Sequence, residues 1–272
     1  MKTHPISSID VTVPMTDGAG PSGHRPPDPT ANNVQTFYRR PLIDRLTGRY
    51  TVSWETGGHV ASIRVHNRLT DLEGFKPGPG SLMRIPRTVR TYLEAKRRPI
   101  LRDPVPFLVY EAIDHLATLV GPGTSVVELG GGNSTLWFLA RGAKVTTVEH
   151  SEEWALAIRE AAEDRLGPGA AERLTIVVAE GETAIDVLES LAADSVDIAL
   201  VDCMNAFTWR KAGVEAVLPA VRPGGTLCLD NSDHPNNWAA VTLLGRESRV
   251  RFTGYAPMCP VVSQTSFWRK PS

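Results

Sequence analysis

The nine residues Val127-Glu128-Leu129-Gly130-Gly131-Gly132-Asn133-Ser134-Thr135 hold the strongest structural signal in this 272-residue chain. They begin in an apolar run and pass into three consecutive glycines. Glycine has no Cβ, so its backbone can approach a ligand more closely than that of any other residue. Asn133 or Ser134 can then cap a helix, because both side chains accept hydrogen bonds from helical N–H groups. The stretch therefore predicts a strand, a ligand-binding turn and a helix in succession.

The ligand of this turn is indicated by its charge and by a second acidic residue. A triphosphate loop would carry a lysine here, and the dinucleotide fingerprint would carry a third glycine where Thr135 stands. Glu128 suits a cationic amino group better than a pyrophosphate. Glu149 ends the next apolar run, 19 residues after Gly130, a spacing at which an acid accepts hydrogen bonds from two ribose hydroxyls. Together the two turns predict an adenosine-type ligand.

Strand and helix patterns alternate from Phe107 onward. The apolar runs that predict strands are Ser125–Leu129, Lys144–Val148, Leu174–Val178, Val196–Val201 and Thr226–Leu229. The clearest helix is predicted over Glu152–Leu166, with Ser151 as its cap and Gly167-Pro168 at its end. Continuous apolar strands separated by helices predict a parallel sheet covered on both faces. Ligands of such sheets bind beyond the carboxyl ends of the strands.

The pattern Glu-x-Gly-x-Gly-x-Ser at 128–134, with Glu149 closing the next strand, resembles the cofactor motif of class I S-adenosylmethionine (SAM)-dependent methyltransferases. Further matches are Asp197–Asp202 and Val221–Gly225, and the resemblance covers roughly residues 105–270. It implies an α/β fold with a doubly wound, mostly parallel seven-stranded sheet, preceded by an N-terminal extension.

The resemblance also implies a set of SAM-binding residues. The glycine turn would contact the methionine part of the cofactor, with Glu128 near its amino group, and Glu149 would hold the ribose. The turn after the third strand would lie near the adenine. The full implied set is Glu128, Gly130, Gly131, Gly132, Asn133, Ser134, Glu149, His150, Glu180, Gly181 and Asp202.

A narrower resemblance concerns a metal ion. Asp202 is followed 28 and 29 residues later by Asp230 and Asn231, which is similar to the metal site of catechol-type O-methyltransferases. Two carboxylates and an amide oxygen suit Mg²⁺, and such an ion would lower the pKa of a bound hydroxyl. The alternative is that Asp202 lines the cofactor pocket without metal and Asp230-Asn231 caps the next helix.

The catalytic base departs from the catechol pattern. Those enzymes carry a lysine three residues beyond the first aspartate, and here that position is Asn205, which cannot take a proton at neutral pH. His234 is the first replacement candidate, since histidine titrates near neutrality, and Asp233 is the second. Asp202 is the third residue expected to handle charge or a proton.

The first hundred residues predict two further regions. Residues 1–33 are rich in proline and poor in large apolar residues, and they predict a disordered tail. Residues 34–100 predict an N-terminal cap with a β-hairpin, in which alternation at Tyr50–Trp54 and Ala61–Val65 flanks a glycine turn. The methyltransferase domain is then expected over 101–272. The cap ends in a basic segment that is either a solvated helix face or a site for a negatively charged substrate group: Arg84, Arg87, Arg90, Lys96, Arg97, Arg98 and Arg102.

The composition of the chain limits which kinds of partner we expect. A net charge of −1 argues against nucleic acid as the main partner, and no apolar run approaches the roughly 20 residues of a membrane span. The three cysteines have no metal-like spacing. We expect a cytoplasmic enzyme that methylates a small molecule, with oxygen favoured as the acceptor atom because of the predicted metal set. Assembly into a homo-oligomer stays open on the sequence.

Other functions stay open on the sequence. An N-methyltransferase or an aminopropyltransferase would share the fold, a non-catalytic SAM-binding module would keep both acids, and Thr135 disfavours an NAD-dependent dehydrogenase. Three aromatic residues could bind a planar acceptor or belong to the core: Phe207, Trp209 and Trp238.

Overall fold

The computed structural model describes the backbone of three strands near the N-terminus and most of the chain from residue 68 onward. The described ranges are Thr36–Phe37, Tyr50–Thr56, His59–Val65, 68–95, 101, 104–203 and 209–272. The predicted tail 1–33 lies outside them, as do Asn205, Phe207 and the basic residues Lys96, Arg97, Arg98 and Arg102.

Seven strands form the main sheet, in the order β6-β5-β4-β7-β8-β10-β9. All neighbours from β6 to β8 are parallel, whereas β10 runs antiparallel to both β8 and β9. The predicted doubly wound, mostly parallel seven-stranded sheet is therefore confirmed. Its strands are β4 (Ser125–Leu129), β5 (Lys144–Glu149), β6 (Leu174–Val178), β7 (Val196–Val201), β8 (Val221–Asp230), β9 (Val250–Ala256) and β10 (Cys259–Arg269).

Helices cover both faces of the sheet because alternate strand residues point to opposite sides. Val126 joins a core cluster with Phe138 and Ile158, while Val127 joins a second cluster with Val214. The helices are α1 (Pro79–Met83), α2 (Ile85–Ala95), α3 (Tyr110–Leu119), α4 (Asn133–Ala140), α5 (Glu152–Leu166), α6 (Pro168–Ala171), α7 (Glu182–Glu189), α8 (Trp209–Val217) and α9 (Trp238–Leu244), with short 3₁₀ turns at Pro235–Asn237 and Arg246–Ser248.

The predicted local signals hold at most element boundaries. Helix α5 has the bounds expected from its pattern, and the Ser151 hydroxyl accepts a hydrogen bond from the Trp154 N–H at 3.2 Å. Strand β8 is longer than its apolar run, since it begins at Val221 and includes the Pro223-Gly224-Gly225 stretch. No helix in the described parts of the chain is long and apolar enough to cross a membrane.

The predicted N-terminal hairpin is present as backbone. Strands β2 (Tyr50–Thr56) and β3 (His59–Val65) pair antiparallel, and β1 (Thr36–Phe37) adds to β2. Gly57 and Gly58 of the expected turn lie outside the described residues.

Residues 79–95 pack against the antiparallel end of the main sheet. Tyr255 N–H, on β9, donates to the Ser81 hydroxyl at 2.8 Å, and Met258 N–H donates to the Thr91 hydroxyl at 2.9 Å. A Cβ at Gly254 would lie 2.1 Å from the Ser81 hydroxyl oxygen, so this glycine permits the close approach. Helices α1 and α2 are thus joined to the sheet that bears the candidate site.

Candidate active site

The glycine turn lies at the point where the strand order reverses, between β4 and β7. Asp202 N–H donates to the Leu129 carbonyl at 3.0 Å, which places the turns after the two strands side by side. Gly130 has φ of +91°, and a Cβ there would lie 2.6 Å from the Asp202 carbonyl oxygen. Glycine at this position is therefore required by the protein's own backbone.

The next two glycines have different surroundings. A Cβ at Gly131 would lie 2.4 Å from Cγ2 of Thr147, so Gly131 is also required by packing. A Cβ at Gly132 would meet nothing closer than the Trp154 ring, at 3.8 Å. Gly132 is itself buried, yet the described structure leaves room for a Cβ at this position.

Trp154 holds the glycine turn from the side, which sequence analysis did not anticipate. Its indole Nε1–H donates to the Gly131 carbonyl at 2.9 Å. Trp154 lies in the first turn of α5, is half-buried, and its ring borders the space beside Gly132.

Glu128 is fully buried beneath the turn. Its Oε2 accepts hydrogen bonds from the hydroxyls of Thr135 at 2.6 Å and Thr147 at 3.0 Å. Burial is the largest influence on its pKa, which it raises to about 7 against the opposing effect of hydrogen bonds from Ser134 and the two threonines. Glu128 thus supports the turn from below, while its Oε1 has no hydrogen-bond partner in the described structure, so the implied position near a methionine amino group stays a prediction.

Thr135 also takes the capping role expected of Asn133 or Ser134. Helix α4 begins at Asn133, and the Gly132 N–H donates to the Thr135 hydroxyl at 3.0 Å. The residue that breaks the dinucleotide fingerprint therefore connects the turn to Glu128. Asn133 is buried and Ser134 is half-buried, both at the first turn of the helix.

Glu149 ends β5 against the same turn. Its Oε2 accepts the Gly131 N–H at 3.0 Å, and its Oε1 accepts the Ser151 N–H at 2.9 Å and lies 2.8 Å from Nδ1 of His150. The structure thus brings Glu149 and His150 to the glycine turn, as implied for a ribose-binding acid.

The turn after β6 completes this edge of the sheet. Gly181 precedes α7 with φ of +59°, and a Cβ there would lie 3.6 Å from the Trp209 ring. Glu180 beside it is exposed. Trp209, considered above as an acceptor-binding residue, instead lies over the turn implied for adenine.

Asp202 is joined to a buried arginine that sequence analysis missed. Arg210, on α8, is 1% exposed, and its Nη2 donates to Oδ1 of Asp202 at 3.1 Å. Burial raises the pKa of Asp202, and the Arg210 charge opposes that shift. A run such as Trp209-Arg210-Lys211 is typical of a charged helix start, so no sequence signal distinguishes Arg210 from an exposed residue.

The implied magnesium ligands do not fit a divalent ion in this arrangement. Asp230 is buried, and its Oδ1 accepts the Thr265 hydroxyl at 2.6 Å. The Nδ2 of Asn231 donates to the Ser263 hydroxyl at 3.0 Å. Arg210 contacts Asp202 and also donates from Nη1 to the Asp230 carbonyl oxygen, so a monovalent cation already lies between the two strand ends. A magnesium ion would have to be held beside this fixed positive charge.

Asp233, a candidate for proton transfer, is enclosed by protein. Its Oδ2 accepts the Leu72 N–H at 2.9 Å, and it has no exposed surface. Burial raises its pKa to about 8, and the nearby acids Asp71 and Glu73 add to the effect. The hydrogen bond to Leu72 favours an anchoring role for Asp233 over a catalytic one, because an acceptor cannot reach it.

His234 is half-buried and lies at the start of the 3₁₀ turn Pro235–Asn237. Its ring Nδ1 accepts a hydrogen bond from the backbone N–H of Asn236 at 3.3 Å. The backbone N–H of His234 donates to the Asn231 carbonyl at 2.9 Å. Trp238, the last aromatic candidate, donates from Nε1 to the Asp233 carbonyl at 3.1 Å. The turn that follows β8 thus holds His234 near Asn231 at the carboxyl end of the sheet.

Comparisons with known proteins agree with this geometry. A family model described as "Methyltransferase domain" matches residues 127–232, which span β4 to the residue after Asn231 and make up less than half of the chain. A comparison with curated proteins found no match.

Solved structures similar to this chain include three methyltransferases. One is an O-methyltransferase from Bacillus cereus with SAH, at 18% identity, a TM-score of 0.49, and coverage of 71% of this chain and 92% of that chain. Another is the O-methyltransferase TomG from Streptomyces achromogenes with SAM, at 15% identity and a TM-score of 0.49. The match covers 68% of this chain and 89% of that chain. A third is precorrin-6y C5,15-methyltransferase from Geobacter metallireducens, at 12% identity and a TM-score of 0.45. The match covers 60% of this chain and 91% of that chain.

The order of the sheet, the three turns at its carboxyl edge and the matched residues define the class of the protein. The sheet is that of an α/β, doubly wound fold, and residues 127–232 of the chain match the methyltransferase-domain model.

Proposed function

We propose that this chain transfers the methyl group of SAM to a hydroxyl oxygen of a small molecule. The observation that carries the proposal is the space beside Gly132, with Glu149 bonded to the adjoining residue Gly131. A nucleoside joined to an amino acid needs both a ribose-binding acid and a backbone segment that no side chain of the protein crowds. The two lie next to each other here.

Each part of the cofactor has a partner in this arrangement. Each oxygen of a carboxylate has two lone pairs, so Glu149 can accept from ribose hydroxyls while keeping its backbone hydrogen bonds. The backbone at Gly132 faces the methionine part, and the turn at Gly181, beneath Trp209, faces the adenine. When bound, SAM supplies an electrophilic methyl group on a positively charged sulfur.

The chain must supply a group that takes the proton of the acceptor. We assign this role to His234, whose Nδ1 accepts a hydrogen bond from the Asn236 N–H at 3.3 Å. While Nδ1 accepts that bond, a neutral ring carries its proton on Nε2. His234 takes up a second proton by releasing the Asn236 N–H.

An oxygen acceptor is favoured by the strength of this base. An imidazole can remove the proton of a phenol-like hydroxyl as methyl transfer proceeds, but not that of an unactivated C–H bond. The proposal of oxygen therefore rests on a proton acceptor and no longer on a metal set.

Calorimetric titration with SAM, SAH, decarboxylated SAM and NAD tests the cofactor assignment. We expect SAM and SAH to bind and NAD not to bind. Glu149→Gln should weaken SAH binding by roughly 1.5–3 kcal/mol, because hydrogen bonds to a charged acceptor are lost. The control is Glu152→Gln, a change of an exposed glutamate on the first turn of α5, which should leave the affinity unchanged.

A panel of small phenols, carboxylic acids and amines tests the acceptor. Methylation on oxygen is expected, and His234→Gln should lower kcat about 10²–10⁴-fold with SAH affinity retained. A product methylated only on nitrogen would overturn the oxygen assignment. Turnover with decarboxylated SAM alone would indicate aminopropyl transfer, and equal SAH affinity in Glu149→Gln would remove Glu149 from the site.

A further inference from the structure

Arg210 connects the ends of two neighbouring strands through its whole guanidinium group. Nε and Nη2 donate to the Cys203 carbonyl at 3.3 and 3.1 Å, and Nη2 also donates to Oδ1 of Asp202 at 3.1 Å. Nη1 donates to the Asp230 carbonyl oxygen. A buried charge held by this many partners has a defined position, since removing any partner would leave a polar group unsatisfied in the interior.

The two carboxylates on either side of Arg210 influence each other. Burial is the largest influence on the pKa of Asp230, which it raises. The negative charge of Asp202 raises this pKa further, and the positive charge of Arg210 opposes both effects. Asp230 is buried and Asp202 is half-buried, and two neighbouring acids withdrawn from water in this way need a counter-charge. Arginine remains charged in proteins, so it provides that counter-charge at all ordinary pH values.

We propose that Arg210 supplies the positive charge that the divalent ion supplies in catechol-type enzymes, and that it positions Asp202 without metal. The proposal rests on the proposed methyl transfer, which it deepens by naming a positioning residue. The second contact of the guanidinium, to the Asp230 carbonyl, also holds the turn that leads to His234. Arg210 thereby joins the cofactor side of the site to the acceptor side.

Binding of Mn²⁺, measured by electron paramagnetic resonance without cofactor or acceptor, tests the inference directly. Wild-type protein should show no specific Mn²⁺ site. Arg210→Met removes the charge and leaves two carboxylates without their cation, so it should gain a Mn²⁺ site that is lost again in the double variant with Asp230→Asn. If Arg210→Met does not fold, Arg210→Gln takes its place, since glutamine can still donate to the carbonyl oxygens.

Arg173 provides a matched control. Its guanidinium donates to the carbonyl oxygens of Ala143, Gly169 and Leu139. Within the described residues it makes no hydrogen bond or salt bridge to a carboxylate. Arg173→Met should lower the melting temperature but gain no Mn²⁺ site, which separates loss of structure from loss of a cation.

The outcomes divide cleanly between this inference and the proposed function. A stoichiometric Mn²⁺ site in wild-type protein that disappears in Asp230→Asn would overturn the inference, whereas SAH binding by the wild type would still support the proposed function. Folded Arg210 variants with no gain of Mn²⁺ binding would also overturn it. Absence of SAM and SAH binding by the wild type would overturn the proposed function and leave the Mn²⁺ result standing.

Discussion

At the scale of single residues, two glutamates with the same chemistry have different tasks. Glu128 lies beneath the glycine turn and accepts from two threonine hydroxyls, whereas Glu149 lies beside the turn and accepts from backbone N–H groups. Burial raises the pKa of Glu128 to about 7. The carboxyl that supports the turn is therefore partly protonated at neutral pH.

Glu128 predicts a pH dependence of stability. In the unfolded chain the pKa of this carboxyl is near its usual value of 4.5, whereas in the folded protein it is about 7. Its contribution to the free energy of unfolding is therefore complete below the unfolded pKa and is lost as pH rises through the folded one. The total change is about 3 kcal/mol, taken as roughly 1.4 kcal/mol per pKa unit.

Thermal unfolding from pH 5 to pH 8 measures this effect. Glu128→Gln keeps the oxygen that accepts from the threonines but cannot ionise, so stability relative to wild type should rise across this range. Glu160→Gln, a change of an exposed glutamate on α5, should follow the wild type at every pH. A constant difference between wild type and Glu128→Gln from pH 5 to pH 8 would contradict the assignment.

At the scale of elements, the turn after β4 shows why a run of glycines can serve two purposes. Gly130 and Gly131 allow the strand ends and α5 to approach the turn, whereas Gly132 has room for a side chain within the protein alone. Protein packing explains the first two glycines, whereas the third would be explained by the proposed contact with SAM.

Two alanine variants separate these purposes. Gly132→Ala should keep its melting temperature close to that of wild type and lose at least about 10-fold in SAH affinity, equivalent to roughly 1.4 kcal/mol. Gly131→Ala should cost about 1–3 kcal/mol of stability, because its Cβ would overlap a buried, rotamer-restricted threonine. Comparable stability losses in both variants, with SAH affinity unaffected in Gly132→Ala, would mean that the space is not a ligand site.

At the scale of the whole molecule, residues 68–75 are locked to the sheet by buried polar contacts. Asp71 accepts from the Phe75 N–H at 2.8 Å, from the Thr253 hydroxyl at 2.8 Å and from the Gln264 amide at 2.9 Å. Leu72 donates to Asp233, close to the candidate base His234. The segment that leads into α1 and α2 is thus hydrogen-bonded to β9, to β10 and to the turn after β8.

Asp71→Asn tests this connection. The change replaces a carboxylate oxygen by an amide group that faces the donors of Thr253 or Gln264, so we expect a loss of roughly 2–3 kcal/mol in the free energy of unfolding. Urea unfolding provides the measurement, with Glu247→Gln, an exposed change near β9, as the control. An unchanged midpoint in Asp71→Asn would show that the segment does not contribute to the stability of the sheet.

Local patterns carried much of the fold and the cofactor edge. The apolar runs predicted β4, β6 and β7 with their observed bounds, and the capped pattern predicted α5. The spacing of the two acids brought Glu149 to the glycine turn as expected. The roles of Glu128 and Asp233 could not be predicted in the same way, because burial and partners distant in sequence determine what an acid does.

The sequence by itself determined the five parallel strands in their chain order, the helix α5, the glycine turn, and the acids Glu149 and Asp230 at two of the strand ends. Those properties depend on hydrophobic periodicity and on the conformations that glycine permits, and both act over neighbouring residues. The tertiary structure alone decided that Arg210 lies between Asp202 and Asp230, and that only Gly132 leaves space beside the turn. The physical reason is that charge pairing and steric exclusion act between atoms in space, and the parallel sheet brings together strand ends that lie 28 residues apart in the chain.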